Sequence, residues 1–105
     1  MLYSRNDVVL LPIPFTDLTS SKVRPAIVIG HGTHAGDLFV VPVRSQLPNA
    51  DLTRVDWKAA KLNVPSGVKA QIATIEDRLI RKAVGHLSLA DTTTLDRHLR
   101  SWLSL

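Results

Sequence analysis

Residues 5–30 read RNDVVLLPIPFTDLTSSKVRPAIVIG, two apolar runs flanking a polar loop that ends in Arg24-Pro25. Val8 to Leu11 and Ala26 to Ile29 have strand length, are rich in β-branched residues and are bounded by Pro, Gly or polar residues, which predicts two core strands. Pro12 and Pro14 interrupt any regular ladder, and Thr16 to Lys22 is polar and turn-prone, so this segment is expected as a surface loop. A guanidinium at the mouth of a rigid β scaffold has the planar donor fork that suits phosphate.

Outward from this core, Gly30 to Asp37 carries three of the five glycines and predicts a second turn. Leu38 to Val43 returns as a strand, and Pro42 predicts an edge or an outward bend that presents Arg44, Ser45 and Gln46 at the tip. Leu52 to Val55 is expected as a short edge strand, and Asp56 as the cap of a helical turn through Trp57 to Ala60. Val68 to Ile75 and Leu79 to Val84 predict two further strands, with Glu76-Asp77 turning between them. Ser88 and Asp91 have the spacing of a capping box, and Leu95, Leu99, Trp102 and Leu103 follow on one face of a C-terminal helix. The expected fold is mainly β with a C-terminal helix that covers an apolar face of the sheet.

The chain has 105 residues, enough for one core, and shows no repeat or linker, so a single domain over residues 1–105 is expected. Cysteine is absent, which excludes disulfides and thiolate metal sites and agrees with a reducing cytoplasm. No apolar run reaches spanning length, and the charged start leads straight into a strand, so neither a membrane span nor a signal peptide is expected. Thirteen Lys and Arg against nine Asp and Glu give a net charge of +4, which favours an anionic partner. No HExxH, P-loop, GxSxG or cluster of acids at ligand spacing occurs, so no metal or other cofactor is expected.

The Asp-Val-Val opening strand, the Pro-Phe-Thr-Asp corner and the Arg24-Pro25-Ala26 strand together resemble the MazF/PemK/Kid-like toxins of type II toxin–antitoxin pairs. Val41 to Gln46, the Asp56-Trp57 segment, Ala73 to Glu76 and Gly85 to Ser88 extend the likeness along the PemK-like branch to the C-terminus. The resemblance implies a small SH3-like half-open barrel and a cytoplasmic, metal-independent endoribonuclease that cuts single-stranded RNA. It also implies a homodimer and a cognate antitoxin whose acidic tail covers the basic groove. Within it, Arg24 is the residue expected on the scissile phosphate, with Ser45 and Gln46 matching the second motif. At the position of that motif's threonine the chain has Arg44.

An arginine can stabilise developing charge but cannot serve as a base. Three outcomes stand open: Ser45 supplies the hydroxyl, Arg44 joins Arg24 in a phosphate clamp, or cleavage is weakened while RNA binding survives. A later Arg-x-Asp pair of some relatives falls near Lys69 and Gln71, where an amide replaces the carboxylate. Asp17 is the acid of the first loop and a candidate base or orienter of Arg24, and Thr16 and Lys22 of that loop are candidate RNA contacts. Phe15 could stack on an unpaired base or pack in the core. His31 and His34 have a pKa suited to proton transfer but lie in a glycine-rich turn with no third ligand nearby. Two other functions remain: a module that binds RNA or antitoxin with weakened cleavage, and a toxin of related fold directed at DNA gyrase.

Overall fold

The computed structural model describes residues 2–12 and 23–105. Among them six strands form one antiparallel sheet: β1 (Asp7–Pro12), β2 (Val23–His31), β3 (Asp37–Arg44), β4 (Gly67–Val68), β5 (Ala73–Glu76) and β6 (Lys82–His86). The order is β4-β3-β2-β1-β6, with β5 also paired to β3. A helix, α1 (Leu89–Trp102), follows. Among the described residues no helix is long and apolar enough to cross a membrane.

β1 to β3 are continuous apolar runs because this sheet buries both of its faces. Val8, Ile27, Val41 and Val43 face one core cluster, joined by Leu95 and Leu99 of α1. Val9, Ala26, Val28 and Val40 face a second, which Leu38 and Ile80 complete. Alternation with a period of two therefore survives inside the runs, but both phases are apolar. Irregular registers at Val8/Val9 on β1 and at Val28/Gly30 on β2 are the bulges that bend the sheet. In the β2–β3 hairpin the backbone turns at Gly36, whose φ of 88° suits glycine.

The two outer strands, β4 and β6, do not pair with each other; the segment from Leu52 to Lys61 spans the gap. A Cβ at Gly67 would come within 2.6 Å of the Leu52 carbonyl oxygen, and one at Gly85 within 2.3 Å of that of Ala60. Glycine at these two positions lets the crossing segment lie directly on the strands. Leu52, Val55 and Ala60 of that segment are buried in the first core cluster beneath α1. The result is a half-open barrel with an irregular segment and a helix over its gap.

Several expected elements change. Leu52 to Val55 is not a strand: a single bridge, Leu52 to Val68, is made, and the rest of the segment goes to the crossing. The turn over residues 57–60 is capped as expected, with the Ala59 amide donating to Asp56 Oδ1 at 3.1 Å, but it stays one turn. The predicted strand from Val68 to Ile75 splits into β4 and β5, because the Ala70 amide leaves the ladder to donate to Asp51 Oδ2 at 2.8 Å. Leu79 belongs to a 3₁₀ turn (Asp77–Leu79), and the last strand begins at Lys82.

Pro42 lies on an interior strand, opposite Ala26. Its missing N–H falls where the outer neighbour of β3 changes from β5, last paired at Val40, to β4, first paired at Val43. At the start of α1 the Asp91 amide donates to Ser88 Oγ at 3.2 Å. The Asp91 carboxylate does not return to Ser88; it accepts the Asp56 amide at 2.6 Å and ties the crossing segment to the helix. Leu103 is the C-cap and half exposed rather than part of the buried stripe.

Candidate functional site

Where β2 begins and β3 ends, the sheet opens into a cleft of about 360 Å³. Arg24 and Pro25 enter it from β2, Val43 and Arg44 from β3, and Ser45 and Gln46 from the chain just beyond. The register between these strands pairs Ala26 with Pro42; run on by two residues, it sets Arg24 across from Arg44. Two cations at opposed positions on adjacent strands repel unless an anion lies between them. Arg44 is half-buried and its Nε, out of contact with solvent, has no hydrogen-bond partner among the described residues. Arg24 is exposed, and neither arginine has an ion pair among the described residues.

The small polar groups beside them are suited to acceptors. The oxygen of the Gln46 side chain takes a hydrogen bond from the Asn49 amide nitrogen at 3.0 Å, leaving its NH₂ group to donate. Ser45 is exposed and has no hydrogen bond among the described residues. A second wall comes from Lys61 to Val64 and Ser66. The Ser66 hydroxyl donates to the Val64 carbonyl at 2.7 Å and is thereby committed to its own turn. Among the described residues the cleft is lined by three cations and by no carboxylate or imidazole.

The structure thus gathers Arg24, Arg44, Ser45 and Gln46 at one cleft. Lys69 and Gln71 are not part of its lining. Lys69 lies 3.5 Å from Asp51, whose carboxyl is held below the ordinary carboxylate value first by the Ala70 amide and then by the Lys69 charge. Phe15, Thr16, Asp17 and Lys22 lie outside the described residues. The histidines stand elsewhere: His31 contacts the Tyr3 carbonyl at 3.0 Å, His86 pairs with Asp7 at 2.9 Å, and the His98 ring leans on Trp102. Among the described residues no three His, Asp or Glu side chains converge as a metal site would require.

The wall from Lys61 to Ser66 was not read from the sequence. Its available signal was Asn63-Val64-Pro65-Ser66-Gly67, a run of turn residues directly before a predicted strand.

The family model of PemK-like, MazF-like toxins of type II toxin–antitoxin systems matches residues 4–103. The chain belongs to that family. Among solved structures this PemK-like chain is similar to an endoribonuclease from a mycobacterial species, in complex with its cognate antitoxin. The TM-score is 0.71 at 17% identity, over 98% of this chain and 94% of that one, so the two share a fold. No curated protein matches in sequence.

Proposed function

We propose that this chain is the toxin of a type II pair and an endoribonuclease that cuts single-stranded RNA in the cytoplasm without a metal. The observation that carries this reading is the meeting of Arg24, Arg44 and Ser45 at one cleft, with neither guanidinium group paired to a carboxylate among the described residues. The endoribonuclease of like fold and the family membership support it.

In the proposed reaction the RNA supplies its own nucleophile. The 2′-oxygen bonds to the adjacent phosphorus as its proton leaves, the bond from phosphorus to the 5′-oxygen breaks, and that oxygen takes up a proton. A cyclic phosphate and a free 5′-hydroxyl result. Arg24 and Arg44 grip the non-bridging oxygens and stabilise the charge that builds on them, an effect worth about 10²–10³ in rate for a single well-placed donor. The Ser45 hydroxyl and the Gln46 NH₂ group donate to phosphate or base. Asp17 of the first loop is the proposed proton acceptor. The substrate enters as a homodimer-bound strand, and the acidic tail of a cognate antitoxin competes for the same cations.

Purified protein incubated with a single-stranded RNA in EDTA tests this. Cleavage is expected to persist and to fall about 10²–10³-fold in Arg24→Ala; cleavage abolished by EDTA, or untouched by Arg24→Ala, would overturn it. A second reading, RNA binding with little turnover, is favoured by the lack of a carboxylate or imidazole in the described lining. Tight binding without products supports that reading. Inhibition of gyrase supercoiling with no effect on RNA would redirect both.

A further inference from the structure

The second wall of the cleft contains a cation that no motif picks out. Residues 57–62 form a single helical turn that ends in two reversed hydrogen bonds: the Leu62 amide donates to the Trp57 carbonyl at 2.9 Å, and the Lys61 amide to the Lys58 carbonyl at 3.1 Å. This is the Schellman closure, whose penultimate position takes the left-handed conformation and is usually glycine. Here it is Lys61, at φ 64°. The turn is pressed onto β6 where Gly85 leaves room: a Cβ there would sit 2.3 Å from the Ala60 carbonyl oxygen and 3.0 Å from Lys61 Cγ. Glycine thus occupies the side of this contact that needs space, while the residue whose backbone would be relieved by glycine carries a long cation.

Strain alone does not mark a site. Ser104, at φ 59°, closes α1 in the same way at the exposed end of the helix. Lys61 differs in where it stands. It lines the same cleft as Arg24 and Arg44, no carboxylate lines that cleft among the described residues, and Lys61 has no ion pair there. Like-charged groups gathered at one cleft raise the free energy of the empty protein, and an anion that enters lowers it again.

We infer that Lys61 is a third phosphate-holding residue, which grips an RNA phosphate neighbouring the one held by Arg24 and Arg44, and that its unfavourable backbone is retained for this. The inference rests on the RNA reading above. Because an ammonium on a phosphate carries no base information, Lys61 adds affinity uniformly across RNA sequences.

The test compares Lys61→Gly and Lys61→Asn with the wild type, using one short single-stranded RNA titrated over a range of salt. Both replacements tolerate the left-handed backbone. Tm is expected to be unchanged or raised in Lys61→Gly, while both variants lose affinity roughly three- to tenfold and the slope of log K against log salt shrinks by about 0.7. Arg97→Gln, on an exposed position of α1, removes one positive charge away from the cleft and is expected to leave both quantities near wild type. Wild-type affinity and slope in both Lys61 variants, alongside weakened binding in Arg24→Ala, would overturn the role of Lys61 and leave the RNA reading standing. An equal loss in Arg97→Gln would overturn it as well, by reducing it to overall charge. If the wild type binds no RNA, both proposals fall.

Discussion

The two walls of the cleft are built by different means. One is the end of a regular ladder, where Arg24 and Arg44 extend from strands whose inner residues are buried on both faces. The other, Lys61 to Ser66, has no ladder of its own. It is held by one capped turn, by the Asp91 carboxylate on the Asp56 amide and by two backbone approaches that only glycine permits. The strand wall therefore tolerates changes in its exposed side chains without losing its shape, whereas the turn wall depends on a few distant contacts. Function and stability should separate on the first wall, whereas on the second a change to the contacts that seat the segment should lower both.

The largest effect that would break this contrast is on the turn wall. Gly85→Ala places a methyl group 2.3 Å from the Ala60 carbonyl oxygen, and because the obstacle is backbone the segment must move. Overpacking of this kind costs about 1–3 kcal/mol, with Tm falling roughly 4–8 °C for each kcal/mol in a domain near this size. RNA binding is expected to drop alongside Tm, since Lys61 follows Ala60 directly. A Gly85→Ala protein with wild-type Tm and affinity would mean that the crossing segment is not seated on β6.

On the strand wall the expected effect is smaller and confined to function. Arg44→Thr restores the hydroxyl that the resembling motif has at this position and removes one of the two facing cations. RNA affinity should fall about tenfold, about 1.4 kcal/mol, with a salt slope smaller by about 0.7. Thermal stability should hold or rise slightly, because the repulsion with Arg24 is relieved. Unchanged affinity with a large gain in cleavage would show instead that Arg44 obstructs the site.

The same contrast decides what the sequence made legible. β1 to β3 and the helix were readable because their signal is local: apolar runs bounded by turn residues, and a Ser88/Asp91 cap before Leu95 and Leu99. Arg24, Arg44, Ser45 and Gln46 were readable because they sit at the ends of those strands, where a short motif carries the geometry with it. The turn wall was not, because its causes are far apart in the chain. Asp51 claims the Ala70 amide and splits a predicted strand, and Asp91 claims the Asp56 amide 35 residues away. An isolated Gly85 in a strand pattern does signal close backbone approach, but it does not say which backbone approaches. Pro42 was legible in part: Arg44, Ser45 and Gln46 do stand together where β3 ends, but the edge that a missing amide suggests is not there, because an interior strand accommodates the proline where its neighbour changes.

The finest test of the turn wall is its dependence on acid. Asp51 accepts the Ala70 amide and faces Lys69, at the point where the crossing segment leaves β4. Those partners, the amide first, hold its carboxyl below the ordinary 3.8. A carboxyl whose value is depressed on folding binds its proton more readily in the unfolded chain, so the stability it contributes is complete above 3.8 and is lost as pH falls through the lowered value. Asp51→Asn keeps an oxygen for the Ala70 amide and removes only the charge. The variant should therefore match wild type closely in fold and RNA affinity at neutral pH, lose a little stability there, and lose less than wild type as the solution is acidified below pH 3.8. Asp96 gives the matching control on α1, its carboxyl lowered by Arg100 and then Arg5, away from the cleft. Parallel stability curves for wild type and Asp51→Asn below that pH would mean that the carboxylate does not anchor the wall and that Gly67 and Gly85 hold the segment without it.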